Sequence, residues 1–239
     1  MKYTKQEIFQ IFMDHYLFQV KFDPEVDQSP DFNQQITIAE WREISDLVST
    51  KKLAHHYHDF FELSISLIEL QELLKSEKKT TLSDLCEYLA FHAERKEITP
   101  ILLLGQSCQT AAIFKVLKEN LAKRDIVVDD LKPSSKINTF FLKYGVDFLV
   151  EVFKIAPGVI YEYEYRDNKF VRTGSLMWLL SIPVWMLTYY FDLFHQLMLI
   201  PFITGILLNF IGAKQDPEKL SIGGYEDFRQ LVYAMNDRL

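Results

Sequence analysis

The sequence predicts an all-α, mostly helical protein: a cytosolic helical domain with an inserted hydrophobic helical hairpin. Three observations predict this class. Apolar residues recur at helical spacing through most of residues 1–170, the stretch 174–213 is almost free of charge, and a short amphipathic helix is predicted over 225–235. We therefore expect a cytosolic domain (1–170), a membrane-inserted hairpin (174–213) and a C-terminal loop and helix (214–239) that pack back on the cytosolic domain.

The first two helices are predicted from periodicity and capping. Thr4–Val20 carries apolar side chains three and four residues apart, which is typical of a helix with one buried face. The following segment contains Pro24 and Pro30 among aspartates and serines, a composition typical of a loop. Thr37 followed three residues later by Glu40 predicts a capping box at the start of the second helix.

The next two helices follow the same criteria. Leu53–Lys75 keeps a period of about 3.6 residues and predicts one continuous third helix. A charged linker ends it. Thr80 or Thr81 then predicts the cap of a fourth helix that ends near Ala93, with Asp84 close to its positive end.

The segments before the hairpin combine helices with one extended piece. Ser107 predicts the cap of a fifth helix, Cys108–Lys123. Phe140–Phe153 predicts a sixth helix, weakened by Gly145. Tyr161–Tyr165 alternates with a period of two, which favours a strand, but no partner strand is evident and an extended neck fits equally well.

Two apolar arms, Ser175–Phe191 and Leu197–Ala213, predict the hairpin. Asp192 is the only formal charge between Gly174 and Gly212, and His195 and Gln196 lie beside it. At about 1.5 Å per residue each arm spans roughly 25 Å, slightly less than a hydrocarbon core of about 30 Å. A carboxylate at the bilayer centre costs roughly 2.5–3.5 kcal/mol, so the turn is expected at Asp192, His195 and Gln196.

The flanking charges predict the orientation. The basic residues lie outside the arms and none lies in the turn: Arg166, Lys169, Arg172, Lys214 and Lys219. This distribution predicts the cytoplasmic (inner) membrane with both termini in the cytoplasm. Two alternatives stay open: a shallow or re-entrant insertion, and a soluble hairpin buried in a large core.

Composition restricts the partners. The chain has 239 residues and a net charge of −7, with no basic stripe that could neutralise phosphates, which argues against nucleic acid. Cys86 and Cys108 have neither a metal-ligand spacing nor a disulfide pattern, which indicates a reducing compartment. The expected partners are membrane lipid and another protein.

One histidine-rich face is the candidate metal site. On a continuous helix His55, His58, Asp59 and Glu62 would share one face, and imidazoles and carboxylates are common metal ligands. The competing interpretation is the solvated face of an amphipathic helix, because the chain offers no second ligand helix with this spacing. No catalytic residue and no cofactor-binding motif is identified, and no cofactor other than this metal is expected.

Three short segments carry a resemblance to a known group. They are IVVDDLKPSSKI at 126–137, TLSDLCEYL at 81–89 and GYEDFRQLV at 224–232. Together they resemble poorly characterised bacterial membrane-associated proteins with acyl-carrier-like features, some of which carry a hydrophobic hairpin between such pieces. The chain lacks the Asp-Ser-Leu attachment site of a phosphopantetheine arm, and Gly105-Gln106-Ser107 is a poor substitute. The resemblance therefore implies a membrane-associated cytosolic module of unknown role, and it gives no ground for inferring carrier activity.

The functional hypothesis is a membrane-anchored, non-catalytic interaction or scaffold module. One alternative is a membrane-associated enzyme or carrier that handles lipid or acyl substrates, with a metal on the His55 face. Another is a soluble helical protein whose apolar arms line a pocket for a fatty ligand.

Overall fold

The computed structural model describes residues 1–26, 32–103, 105–190 and 199–239, and it is mostly helical, with 60% of residues in helices. The described residues form ten helices and two small two-stranded sheets. The chain divides into two compact units, a first made of Met1–Tyr163 with Ile222–Leu239 and a second made of Glu164–Ser221. In the first unit the elements are α1 (Lys5–Phe22), α2 (Ile38–Ile44), α3 (Thr50–Phe60), α4 (Leu67–Lys75), α5 (Leu82–His92), β1 (Ile101–Leu103), β2 (Gln106–Cys108), α6 (Gln109–Lys123), α7 (Ile137–Ile155) and α10 (Phe228–Asn236).

Capping boxes begin three helices of the first unit. The Thr37 hydroxyl accepts the Glu40 backbone N–H at 3.2 Å, and Glu40 Oε2 accepts the Thr37 N–H at 2.7 Å, as predicted. The same reciprocal pair forms at Thr4 for α1 and at Thr81 for α5. Each box satisfies two backbone donors that a helix start would otherwise leave unpaired.

The prediction of one helix from Leu53 to Lys75 is wrong. Helix α3 ends at Phe60, and Glu62 adopts a left-handed backbone with φ of +49°. The turn brings Phe61 and Leu63 into the core, where they are 4% and 5% exposed. Burial of these two apolar side chains explains why the chain leaves the helix although its spacing is helical.

Ser107 is not a helix cap, contrary to prediction. It lies in β2, opposite Leu102 of β1, and helix α6 begins after Cys108 instead. Gly105 occupies the tight turn between the two strands with φ of +80°, a conformation that glycine adopts at no steric cost. Gly105 therefore favours a β-hairpin at the position where Ser107 predicted a helix cap.

Two isolated β-bridges each connect the N-terminal ends of two helices. One joins Thr37 to Thr81, with backbone hydrogen bonds of 2.9 and 2.8 Å on either side, and so links α2 to α5. The other joins Lys136 to Asp227, with hydrogen bonds of 3.2 Å on both sides, and links α7 to α10. In both cases the bridge residue on one side, Thr81 or Asp227, is also the N-cap of the helix that follows.

An aromatic cluster holds the second half of this unit together. Helix α6 packs on α7 and α10. Phe228 of α10 lies edge-on to Phe140 at 5.2 Å and 5.5 Å from Phe148, both from α7. Helix α7 runs through Gly145, whose φ of 50° and ψ of −123° are not helical, so the predicted weak point is a kink.

The second unit contains the hairpin and most of a two-stranded sheet. Its elements are β3 (Tyr163–Arg166), α8 (Lys169–Tyr190), α9 (Leu199–Gly212) and β4 (Lys219–Ile222). Strand β3 pairs with β4. The partner strand that the sequence pattern did not reveal is therefore β4, which follows the hairpin in the chain.

Candidate membrane-binding hairpin

Helices α8 and α9 form a packed apolar pair whose large side chains point outward. Residues Lys169–Leu187 are long and apolar enough to cross a membrane, and only 11% of this window is buried. Helix α9 is a shorter apolar helix. Exposed large apolar residues lie along both helices: Leu176, Trp178, Leu179, Leu180, Ile182, Trp185, Met186, Leu187, Tyr189, Tyr190, Leu199, Ile200, Phe202, Ile203, Ile206, Leu207, Phe210 and Ile211. This distribution is the inverse of that in a water-soluble helix pair.

Glycines form the contact between the two helices. A Cβ atom on Gly174 would lie 2.7 Å from the Gly205 carbonyl oxygen, and one on Gly205 would lie 2.8 Å from the Trp178 backbone nitrogen. A Cβ on Gly212 would lie 2.8 Å from the Val171 backbone nitrogen. The two backbones therefore approach at distances that only glycine permits, as small residues allow in membrane helix pairs.

Asn168 closes the open end of the hairpin. Its Oδ1 accepts the backbone N–H groups of Phe170 and Val171 at 3.1 and 3.2 Å at the start of α8. Its Nδ2 donates to the Gly212 carbonyl at 2.9 Å at the end of α9. One buried amide thus satisfies both helix ends, which would otherwise leave backbone groups unpaired.

Replacements at Asn168 should separate these two roles. Asn168→Ser keeps an acceptor for α8 and loses the donor to Gly212, which we expect to cost about 1 kcal/mol. Asn168→Asp should cost more, about 2–3 kcal/mol, because a carboxylate oxygen would then face the Gly212 carbonyl oxygen. Unfolding of the hairpin in detergent, followed by tryptophan fluorescence, measures both. An aspartate variant as stable as the asparagine protein would contradict the bridging role.

The predicted turn residues Asp192, His195 and Gln196 lie outside the described residues. Their assignment to the turn stays a prediction.

The structure does not bring His55, His58, Asp59 and Glu62 into one cluster. Helix α3 ends before Glu62. His58 turns its Nε2 to the Ile65 carbonyl at 3.0 Å and its Nδ1 to Asp59 at 3.5 Å. Across the part of the chain that the structure describes, no three His, Cys, Asp or Glu side chains are grouped closely enough to hold a metal ion.

Sequence reasoning missed two neighbouring ionisable side chains of α1 that face the core, the buried Asp14 and the half-buried His15. Asp14 is fully buried, and its carboxylate accepts the Gly158 backbone N–H at 2.7 Å and the Gln10 amide at 3.0 Å. Burial raises the pKa of Asp14 to about 7. The neighbouring His15 packs against Phe60, and burial lowers its pKa to about 3. Asp14 and His15 follow the apolar Ile11 by three and four residues, and on a helix this spacing indicates that they lie on the same face as Ile11.

A cavity in the first unit has a volume of about 310 Å³ and a charged lining. Its lining includes Tyr3, Phe60, Arg95, Lys96, Glu151 and Lys154. Three of these charged side chains form ion pairs: Arg95 lies 2.8 Å from Glu7, Lys96 lies 2.9 Å from Glu119, and Lys154 lies 3.6 Å from Glu151. This cavity lies among residues of the first unit and is therefore not the apolar pocket between the arms that the soluble alternative requires.

The two cysteines should differ sharply in reactivity. Cys108 is half-exposed, and hydrogen bonds from the Thr110 hydroxyl and the Ala111 backbone lower the pKa of its thiol. Cys86 is buried, and burial raises its pKa to about 12. We expect iodoacetamide near neutral pH to alkylate Cys108 in the folded protein and Cys86 only after unfolding, as mass spectrometry of tryptic peptides can measure. Equal rates in the folded state would contradict this assignment.

Comparison with known proteins identifies no relative: no family model, no curated protein and no solved structure matches the chain. The resemblance to bacterial membrane-associated proteins with acyl-carrier-like features therefore stays a prediction.

Proposed function

We propose that the chain is a non-catalytic interaction or scaffold module anchored in the cytoplasmic membrane, with both termini in the cytoplasm. The observation that carries the proposal is the inverted hairpin, with glycines at the helix contact and large apolar side chains outside. In water, exposed apolar surface costs about 25 cal/mol per Å², whereas hydrocarbon removes this cost.

The dimensions of the hairpin support insertion in a bilayer. The part of α8 that follows Arg172 has 18 of the helix's 22 residues, which at about 1.5 Å each gives roughly 27 Å, close to a hydrocarbon core of about 30 Å. Pro183 lies inside α8, as membrane helices tolerate. The buried Ser181 donates its hydroxyl proton to the Trp178 carbonyl of the same helix at 2.6 Å. Because this hydroxyl is already hydrogen-bonded within α8, it can enter an apolar medium without an unpaired donor.

The non-catalytic part of the proposal rests on the structural contacts of the candidate chemical groups. His58 contacts the Ile65 carbonyl, Asp14 accepts the Gly158 amide, and Glu151 accepts Arg124 Nε at 2.6 Å. Each of these groups stabilises a local turn or helix contact. Unit 1 then serves as the surface that another protein binds.

Cysteine accessibility in membranes tests the anchor. In a Cys86→Ala, Cys108→Ser background, Leu193→Cys should react with an impermeant maleimide only from the outer face, and Lys51→Cys in α3 only from the cytoplasmic face. Labelling of Leu193→Cys from neither face would indicate a shallow insertion and would contradict the proposal that the hairpin crosses the bilayer.

Carbonate extraction separates the proposal from the soluble alternative. The anchored chain should stay with the membrane pellet at alkaline pH, and release into the supernatant would contradict the proposal.

Metal analysis addresses the enzyme alternative. Stoichiometric bound metal that disappears in the His55→Ala, His58→Ala double variant would favour an enzyme over a scaffold.

A further inference from the structure

Three exposed cations surround the open end of the hairpin. We call Lys169, Arg172 and Lys214 the basic collar. Lys169 and Arg172 lie in the first turn of α8, and Lys214 follows the end of α9. Because Asn168 donates to the Gly212 carbonyl at 2.9 Å, the start of α8 and the end of α9 are in contact. The three cations therefore lie at the same end of the apolar pair.

The collar is only partly neutralised by the protein. Arg172 is 3.3 Å from Glu218, a carboxylate that also lies 3.9 Å from Arg166. Within the described residues, neither Lys169 nor Lys214 has a carboxylate at ion-pairing distance. Their ammonium groups lie over phenylalanine rings instead, Lys169 at 5.4 Å and Lys214 at 4.5 Å from the ring centre. An ammonium that rests on an apolar ring keeps its charge available at the apolar boundary.

Charges are layered along the chain. Moving outward from the apolar helices, the cations of the collar come first on both sides, and the carboxylates of Asp167, Asp216 and Glu218 come after them. The salt bridge of Arg172 is exposed, at 58% and 50% for its two side chains, and such pairs exchange partners at little cost. The layer next to hydrocarbon is thus positive, at the depth where lipid phosphates lie.

We propose that the basic collar binds the phosphate of anionic phospholipids and so selects the lipids around the hairpin, an inference that rests on the proposed membrane function. Each Lys or Arg near an anionic surface contributes about fivefold to association. The two unpaired lysines should dominate, and Arg172 should contribute when it leaves Glu218. The interaction should weaken as salt increases, because the collar is exposed.

Electron spin resonance of spin-labelled lipids tests the proposal on the full chain reconstituted in phosphatidylcholine bilayers. The motionally restricted fraction measures lipids in contact with the hairpin. We expect spin-labelled phosphatidylglycerol to be preferred over spin-labelled phosphatidylcholine by at least about fivefold at low salt, the contribution of one cation. Lys169→Gln, Arg172→Gln, Lys214→Gln should remove the preference and keep the restricted fraction. Removal of three exposed lysines from the other unit should leave both unchanged: Lys51→Gln, Lys52→Gln and Lys78→Gln.

The outcomes separate the two proposals. Equal restriction of both lipids, or a preference that survives in the collar variant, would overturn the collar and leave the anchor intact. Loss of the preference on addition of inorganic phosphate at constant ionic strength would reassign the cations to a soluble anion and also overturn it. Absence of any restricted lipid would overturn the anchor itself.

Discussion

In the Asp14→Asn variant, the free energy of unfolding of the first unit is expected to increase as pH rises from about 4 to about 6.5. In the folded protein Asp14 keeps its proton to about pH 7, whereas in the unfolded chain it titrates near 3.8. The folded state binds more protons between these values, so the contribution of Asp14 to the free energy of unfolding falls as pH rises. The slope is about 1.4 kcal/mol per pH unit, roughly 4 kcal/mol in total.

His15 has the opposite effect over nearly the same range. Its pKa is about 3 in the folded protein and 6.5 in the unfolded chain, so the unfolded state binds more protons between these values. The free energy of unfolding therefore rises with pH by about 1.4 kcal/mol per unit through His15. In the natural chain the two slopes oppose each other. Asp14→Asn leaves the rising slope, and His15→Phe, which keeps a ring between Phe60 and Phe153, should leave the falling one.

Urea unfolding at a series of pH values measures these slopes. Trp178→Phe, Trp185→Phe leaves Trp41, in the first unit, as the fluorescent reporter. The groups that act on the pair are Tyr163 and Arg238 for Asp14 and His56 for His15, and they are unchanged in both variants. Slopes of the same sign in the two variants would contradict the assignment of the buried protons.

Gly205→Ala is expected to destabilise the hairpin by about 1–3 kcal/mol, although alanine favours helices. Its Cβ would lie 2.8 Å from both the Gly174 carbonyl oxygen and the Trp178 backbone nitrogen. Both obstacles are backbone atoms, so neither can turn away as a side chain would. The helices must separate, and Gly205→Val should separate them further.

The hairpin offers its own reporter and control. In a Trp41→Phe background the remaining tryptophans, Trp178 and Trp185, both lie in α8. Unfolding by dodecyl sulfate in mixed micelles then reports the α8–α9 contact. Ile206→Val, on the exposed surface beside Gly205, should change the midpoint little. An alanine variant with the natural midpoint would show that the two backbones do not approach closely.

Local chemistry made much of the fold predictable. The boxes at Thr37 and Thr81 depend on residues three apart, and the apolar arms depend on composition alone, so both follow from short segments. The break at Glu62 does not follow, because the helical spacing continues through it and tertiary burial of Phe61 and Leu63 decides the backbone. The same break takes Glu62 off the helix that carries His55, His58 and Asp59.

Contacts between distant segments were beyond sequence reasoning. Asn168 has no local feature that announces its bond to Gly212, and Tyr163–Arg166 finds its partner strand only after the hairpin. Gly174 and Gly205 were visible as glycines, but their pairing needs the crossing of two helices. The candidate membrane surface was thus predictable from composition, whereas the groups that shape it required coordinates.

The position of α10 has a consequence for biosynthesis. This helix packs on α6, and Asp227 bridges Lys136, yet the ribosome makes it after both apolar arms. Nascent chains fold from the N-terminus, so the Phe140 and Phe148 side chains must wait without Phe228 while the arms emerge. The aromatic cluster is therefore completed last, after translation has passed both apolar arms, so the first unit cannot finish folding before the hairpin has been made.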